Sequence, residues 1–278
     1  MTIMPKISLG TYLAHGQQLE KAVEYALKCG YRGFDTAKFY ENERDLGMAL
    51  KKHLPRFGLK SEDIFLTTKI FPYSKNTQKC LIADIEKSMQ FLNRRYLDLV
   101  LIHYPRPFDN DNSDLKNIAS RRELWNELET LKQVGLISSI GVSNYEIRHI
   151  EEMSKYSDEK PAVNQIEYHP HFQRKNLKNH CDKNGIIFQA FSPLGRQSKQ
   201  LLEDENIAKI ARNHNITNAQ VILSWALQSG AYIVPKSVTE KRIEENFKIS
   251  KLSLHEMNEI NALDRECPYT EDNGWLCV

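Results

Sequence analysis

Short apolar segments alternate with longer amphipathic segments along almost the whole chain. The short segments are rich in β-branched and aromatic residues and are bounded by turn-forming residues, which is typical of buried strands. Eight strands are predicted in this way, at residues 7–11, 33–36, 64–70, 97–103, 139–142, 162–166, 186–191 and 232–235.

The segments between these strands carry helical periodicity and recognisable ends. Apolar residues recur on one helical face before Gly30 and again before Gly135, at Leu19, Ala22, Val23, Ala26 and Leu27 in the first helix and at Leu124, Leu128 and Leu131 in the second. Two later helices are predicted to begin at capping boxes, one from Thr217 to Gln220 and one from Ser253 to Glu256.

Eight strand–helix units in one chain indicate the α/β class and favour a (β/α)8 TIM barrel, predicted as a single domain spanning 1–278. An open doubly wound sheet is the competing architecture. That fold usually binds dinucleotides with a G-x-G-x-x-G turn, and none follows an early strand here. In a barrel, the polar connection at 106–118 would lie on the face formed by the carboxyl ends of the strands.

Composition narrows the function classes. The 278 residues include 38 Lys and Arg against 36 Asp and Glu, a net charge of +2, so nucleic acid is not expected as the main partner. The sequence shows neither a leader pattern nor an apolar run of membrane-spanning length, which predicts a cytoplasmic protein with no membrane segment. No feature demands a partner chain, so a monomer is expected.

The five cysteines are scattered singly, which fits a reducing compartment. Buried thiols are expected for most of them. Cys277 is the exception, because its burial depends on how the C-terminal tail docks.

Titratable residues stand at the ends of three consecutive predicted strands. Asp35, Lys69 and His103 occupy these positions, and Tyr40 follows Asp35 on the next loop. In a barrel such positions converge on one spot. Each residue alone is more often structural than catalytic, but charges within apolar runs are unfavourable unless they are paired.

The grouping suggests proton donation from a phenol. A nearby ammonium lowers the pKa of a tyrosine by favouring the phenolate, so Lys69 is expected to tune Tyr40 while Asp35 holds Lys69 in place. A neutral His103 would orient the same substrate oxygen. The site would then protonate an oxygen that is becoming an alkoxide, and carbonyl reduction would also require a hydride from a cofactor.

The chain resembles the aldo-keto reductases over essentially its whole length. The blocks that carry the resemblance are GFDTAKFYENE at 33–43, TTK at 67–69, LDLVLIHYP at 97–105, IGVSN at 140–144, NQIEYHP at 164–170, FSPLG at 191–195 and VPKSVTEKRIEEN at 234–246. The resemblance implies an NADPH-dependent oxidoreductase that reduces aldehydes and ketones, with Tyr40, Asp35, Lys69 and His103 as its catalytic residues.

The resemblance also implies contacts for each part of NADPH. It assigns the nicotinamide carboxamide to Ser143, Asn144 and Gln165, the nicotinamide ring to Phe191, the pyrophosphate to Ser192, Leu194 and Gly195, the 2′-phosphate to Lys236, Ser237 and Arg242, and the adenine to Glu245 and Asn246. Two cations near one phosphate favour NADPH over NADH. Without the other blocks, residues 240–245 read equally well as a solvated helix face.

For the substrate, a small-molecule carbonyl compound, the resemblance implies an aromatic pocket formed by Tyr12, Phe39, Phe71 and Tyr104 beside His103. Two alternatives remain at this point. His169 and His171 form an H-x-H pair that would join His103 in a metallohydrolase, although no metal site is expected because further ligands are not evident. In the second alternative, the chain is an NADPH-binding barrel with a regulatory or structural role.

Overall fold

The computed structural model describes residues 3–271 and 274–278, and within them eight parallel strands form one sheet in chain order. The strands are β1 (Ser8–Gly10), β2 (Gly33–Asp35), β3 (Phe65–Ile70), β4 (Leu97–Ile102), β5 (Ile137–Ser143), β6 (Val163–Glu167), β7 (Ile187–Phe191) and β8 (Tyr232–Val234). Each lies where the apolar pattern predicts a strand. Most ends are within one residue of the predicted ones.

The sheet nearly closes on itself, because β8 returns to β1. Ile7 bridges to Ile233 and Gly10 to Lys236 in parallel register. The Ile233 amide donates to the Lys6 carbonyl at 2.8 Å, and the Gly10 amide donates to the Pro235 carbonyl at 3.0 Å. The prediction of a (β/α)8 barrel is therefore confirmed.

Helices connect the strands and form the outer layer. The described residues contain α1 (Gly16–Cys29), α2 (Glu43–His53), α3 (Thr77–Leu92), α4 (Lys116–Gln133), α5 (Ile147–Met153), α6 (Lys175–Lys183), α7 (Lys199–Leu202), α8 (Glu205–His214), α9 (Asn218–Gln228), α10 (Glu240–Phe247) and α11 (Leu254–Asn261). Gly30 ends α1 in the left-handed conformation, with φ of 103°. The predicted capping boxes begin α9 at Thr217 and α11 at Ser253.

Apolar side chains fill two regions. Most of the buried ones pack between the strands and the helices, where Trp125 and Trp225 are fully buried. A smaller buried cluster contains Leu99 and Leu101, which pair in register with Thr67 and Lys69. Because paired residues of neighbouring strands share a face, Lys69 lies on the same face of the sheet as this cluster.

The last five residues form a tail that packs against α4 and α5. The Arg148 Nη2 atom donates to the Trp275 carbonyl at 2.7 Å, and His149 Nε2 lies 3.0 Å from the Cys277 carbonyl oxygen. The Trp275 ring lies edge-on to Phe172, with centroids 5.6 Å apart. Docking of the tail leaves Cys277 fully buried.

Among the described residues, no helix combines the length and the apolar character needed to cross a bilayer.

Candidate active site

The carboxyl ends of β2 and β3 bring Asp35 and Lys69 together with Tyr40. Lys69 Nζ donates to Asp35 Oδ1 at 2.5 Å, to the Thr36 carbonyl at 3.0 Å and to the Tyr40 hydroxyl at 3.3 Å. Tyr40 closes a short 3-10 turn that follows β2, and this turn directs its ring toward Lys69. The three side chains therefore meet as the strand order predicts.

The Lys69–Asp35 pair is almost fully buried, with both side chains at most 4% exposed. Such a pair is stable only when its remaining hydrogen-bonding capacity is also used. Gln165 on β6 meets this need, because its Nε2 atom donates to Asp35 Oδ2 at 2.8 Å. The same atom also donates to Gln189 Oε1 on β7 at 2.8 Å.

Burial and charge act in opposite directions on this group. Burial alone would lower the pKa of Lys69, but the Asp35 carboxylate and the Tyr40 hydroxyl outweigh it, and the pKa of Lys69 is raised. Burial raises the pKa of Tyr40, and the nearby Lys69 ammonium offsets only part of that rise. The expected lowering by Lys69 is present, but the net pKa shift of Tyr40 is upward because its hydroxyl is removed from water.

His103 follows β4 and faces the Tyr40 ring, with centroids 5.7 Å apart. Burial, reinforced by the positive charge of Lys69, holds the pKa of His103 well below its ordinary value. Its Nδ1 atom is buried and has no hydrogen-bond partner in the described part of the chain. His103 is thus a neutral imidazole beside the phenol.

Asp35, Tyr40 and His103 line a cleft of about 480 Å³. All four residues predicted to form the aromatic wall, Tyr12, Phe39, Phe71 and Tyr104, line it. The Phe39 ring lies 5.8 Å from the Phe71 ring, and Phe71 lies 4.6 Å from the His103 ring. Tyr104 is only 5% exposed, so its side chain supports the wall of the cleft and presents little surface to a substrate.

The predicted cofactor residues divide into two groups. Those that line the same cleft are Ser143, Asn144, Gln165, Phe191, Ser192, Leu194 and Lys236. Asn144 has a positive φ of 63°, and its Nδ2 atom donates to the His103 carbonyl at 3.0 Å. This bond ties the end of β5 to the end of β4.

The remaining predicted residues, Gly195, Ser237, Arg242, Glu245 and Asn246, lie outside the cleft lining. Gly195 is buried against Tyr269 and Leu201, where an added Cβ would clash. Three of the others lie on α10. Among these, Asn246 is buried, whereas Arg242 is exposed and donates to Gln197 Oε1 at 3.3 Å.

Several other residues line the cleft although the sequence analysis does not predict them as site residues. They include Arg106, Phe108, Arg196, Gln197 and Thr270. Arg196 and Gln197 both have positive φ, and the Arg196 guanidinium lies 5.8 Å from the Tyr12 ring centroid. Phe108 offered the one available hint, since it is an aromatic residue in an otherwise polar loop.

His169 and His171 both contact Tyr269 of the C-terminal segment, and the His169 ring stacks on it with centroids 5.0 Å apart. His169 Nε2 lies 3.1 Å from Glu167 Oε1, while His171 contacts the Tyr269 hydroxyl at 2.8 Å and Asp204 Oδ2 at 3.3 Å. Among the residues the structure describes, no three His, Cys, Asp or Glu side chains are grouped to hold a metal ion. The alternative that joins this pair to His103 therefore has no geometric support.

Known proteins share the sequence pattern of this chain. Residues 6–265 match the model of the Aldo/keto reductase family. The chain is 40% identical to aldose reductase B of Dictyostelium discoideum, covering 94% of this chain and 89% of that protein. It is 39% identical to glyoxal reductase of Bacillus subtilis, covering 95% of this chain and 90% of the relative.

Solved structures give the same result. The structure of the aldose reductase from Schistosoma japonicum superimposes with a TM-score of 0.85 at 36% identity, covering 94% of this chain and 89% of that one. Barrel and sequence agree over nearly the whole length, and the chain belongs to the aldo-keto reductase family of oxidoreductases.

Proposed function

We propose that this protein reduces aldehydes and ketones to alcohols with NADPH, and that Tyr40 donates the proton. One observation carries the proposal, namely that Lys69 bonds both Asp35 and Tyr40, which line one cleft together with His103. A pure binding protein would have no need of a buried ammonium beside a phenol.

The chemistry of the cleft suits a nicotinamide dinucleotide phosphate. Hydroxyl and amide groups of Ser143, Asn144 and Gln165 line its inner part, matching the donors and acceptors of a carboxamide. Lys236 lies at the rim and is exposed, and it forms no ion pair with a described residue, so its charge is available to a phosphate. When bound, the reduced nicotinamide supplies the hydride, which no side chain can provide.

The other predicted residues are proposed to contact the remaining parts of the cofactor. Phe191 would stack on the nicotinamide, and Ser192, Leu194 and Gly195 would border the pyrophosphate. Ser237 and Arg242 would join Lys236 at the 2′-phosphate, with Glu245 and Asn246 at the adenine. The hydrogen bond from Arg242 to Gln197 supports this arrangement, because Gln197 belongs to the loop after β7 that also lines the cleft.

The protein's own residues then handle the proton. A carbonyl oxygen between Tyr40 and His103 accepts the Tyr40 proton as negative charge develops on it, and His103 orients that oxygen. The raised pKa keeps Tyr40 protonated at neutral pH. After transfer, the Lys69 ammonium at 3.3 Å stabilises the phenolate, and Asp35 keeps Lys69 charged and in position.

A Tyr40→Phe variant tests the mechanism. We expect carbonyl reduction, followed as NADPH oxidation, to fall about 10²–10⁴-fold, because general acid catalysis contributes that much. NADPH binding, measured by calorimetry, should remain. Tyr25→Phe on α1 is the matched control and should keep full turnover. Near-normal turnover of Tyr40→Phe would overturn the assignment.

The names of two relatives, a glyoxal reductase of Bacillus subtilis and a methylglyoxal reductase of Yersinia pestis, suggest a substrate class. We propose small aldehydes, α-dicarbonyls and ketones as the substrates of this chain. The aromatic wall and the neutral imidazole suit a compact carbonyl group with an apolar neighbour. A panel of such compounds, assayed for NADPH oxidation, would rank them.

A further inference from the structure

Arg106 adds a cation to the aromatic side of the cleft. It follows His103 by three residues and lines the same cleft as Tyr40 and His103. Its guanidinium lies 5.1 Å from the Tyr104 ring centroid, so the side chain runs along the wall. Phe108 lies beyond it, 5.1 Å from Phe39 and 5.4 Å from Phe71.

Hydrogen bonds from Nε and Nη1 hold the guanidinium in place. Arg106 Nε donates to Asn112 Oδ1 at 2.8 Å, and Nη1 donates to the carbonyls of Pro107 and Phe108 at 2.8 and 2.7 Å. In the described part of the chain, Nη2 has no hydrogen-bond partner and the guanidinium forms no ion pair. A fixed cation with two free N–H groups therefore lines the cleft.

The charges of the cleft make this position distinctive. Arg106, Arg196 and Lys236 are the arginine and lysine side chains among its described lining residues, and Asp35, the carboxylate among them, is already paired with Lys69. Lys236 follows β8 and Arg196 follows β7, whereas Arg106 follows β4. In a barrel with strands in chain order, β4 lies opposite β8. Arg106 thus stands across the mouth from the proposed phosphate contacts.

We propose that Arg106 is a specificity-determining residue that selects carbonyl substrates carrying a carboxylate. The inference rests on the proposed carbonyl reduction and names its substrate class more closely. The carbonyl lies between Tyr40 and His103, the spacer packs on Phe39, Phe71 and Phe108, and the carboxylate accepts hydrogen bonds from Arg106 Nη2. A guanidinium presents paired N–H groups that match a carboxylate.

Chain geometry limits the length of the spacer. Three residues span at most about 10 Å, so the Arg106 backbone lies within that distance of His103. A ring or a chain of a few carbons fills such a gap. Aldehyde acids with a flat or short spacer are therefore the best-matched compounds, and larger uncharged carbonyl compounds gain nothing from Arg106.

The test compares 4-carboxybenzaldehyde with the methyl ester of the same acid, methyl 4-formylbenzoate. The two compounds share ring and aldehyde and differ in the negative charge. For each enzyme the ratio of kcat/KM for the acid to that for the ester is measured from NADPH oxidation. Differences in intrinsic reactivity cancel when this ratio is compared between variants.

We expect the ratio to fall at least tenfold in Arg106→Met, corresponding to about 1.4 kcal/mol. Arg106→Lys should keep part of the preference, because it retains the charge without the bonds of Nε and Nη1. Arg122→Met, which removes an exposed arginine of α4, should leave the ratio unchanged. Salt at about 0.5 M should lower the wild-type ratio and leave that of Arg106→Met unchanged, since it screens the attraction.

An equal loss of kcat/KM for both compounds in Arg106→Met would overturn the inference, because it would make Arg106 a support for its loop alone. An unchanged ratio would overturn it as well. Should Arg106→Met fail to fold, the salt dependence of the wild-type ratio provides the test. A ratio that is insensitive to salt contradicts the proposed role of Arg106. If wild-type enzyme reduces neither compound nor any other carbonyl tested, the proposed function itself fails, which is a different result.

Discussion

At the scale of single residues, the site depends on Lys69, whose buried charge is stable only while its hydrogen-bonding partners are present. Lys69 contacts a carboxylate, a carbonyl oxygen and a phenol, and the carboxylate is in turn held by Gln165. Loss of one partner leaves a buried charge uncompensated, which is strongly unfavourable. The electrostatics of Tyr40, the proposed proton donor, and the stability of the barrel interior are therefore linked through Lys69.

Lys236 is the residue that we propose distinguishes NADPH from NADH. We expect Lys236→Met to weaken NADPH binding about 10- to 100-fold, because a charged hydrogen bond to phosphate contributes about 1.5–3 kcal/mol. NADH lacks the 2′-phosphate, so its dissociation constant should stay nearly the same. Calorimetry with both cofactors measures the difference, and Lys241→Met, which alters an exposed lysine of α10, serves as control. Equal losses for NADPH and NADH would contradict a phosphate contact.

Sequence alone predicts the meeting of Asp35, Lys69 and His103, because adjacent parallel strands end at one rim of the barrel. It does not predict the net direction of the Tyr40 pKa shift. That direction depends on how completely the surrounding loops remove the hydroxyl from water. Arg196 was also missed, since its approach to Tyr12 depends on two consecutive residues with positive φ.

At the scale of elements, apolar periodicity predicts all eight strands but misses the last residue of most of them by one position. Pro235 was assigned to β8, which ends at Val234, and Pro235 has no N–H with which to extend a ladder. Thr36 and His103 likewise follow the ends of their strands. These residues turn into the loops that build the cleft. Loop geometry is set by contacts between distant segments, so a local pattern cannot specify it.

Helices α2 and α3 approach each other at a glycine. A Cβ built on Gly47 would lie 1.9 Å from the Phe91 carbonyl oxygen and 2.8 Å from the Leu92 Cα, both backbone atoms. We expect Gly47→Ala to lower the free energy of unfolding by about 1–3 kcal/mol, although alanine is the better helix former. Urea denaturation measures this change.

The neighbouring exposed residue Met48 provides the control for that variant, because Met48→Ala changes the outer face of the same helix. Its effect should stay within about 0.5 kcal/mol. A Gly47→Ala protein as stable as wild type would show that the two helices can separate without cost.

At the scale of the whole molecule, the C-terminal tail and the barrel are joined by buried polar contacts. His149 lies at the centre of them, with Nδ1 accepting from the Glu146 amide at 3.0 Å and Nε2 donating to the Cys277 carbonyl at 3.0 Å. This pattern requires a neutral ring with its hydrogen on Nε2. Burial, aided by the charges of Arg121 and Arg148, lowers the pKa of His149 to about 3.

The lowered pKa makes the molecule sensitive to acid. Between the ordinary histidine pKa of about 6.5 and the folded value of about 3, the unfolded chain binds a proton that the folded chain does not. Stability therefore falls as the pH falls through this window, by up to about 1.4 kcal/mol per pH unit from His149. In His149→Gln this contribution should disappear.

Urea denaturation at pH 7 and pH 5 measures how the free energy of unfolding depends on pH in wild type and in His149→Gln. His103, whose pKa is also lowered, contributes to wild type and variant alike and cancels in the comparison. His15→Gln, at an exposed position, should behave as wild type. Parallel losses of stability in wild type and His149→Gln would exclude His149 as the acid-sensitive group.

The docking of Trp275 has an optical consequence. Trp125 and Trp225 are fully buried and are not in contact with solvent. Trp275 is half-buried and packs against Phe172 and Arg174. Gly274, the residue before it, packs directly on the Asn144 backbone at the edge of the cleft. The emission maximum of Trp275 therefore reports on the tail next to a proposed cofactor contact, and the protein carries its own fluorescent probe of events at Asn144.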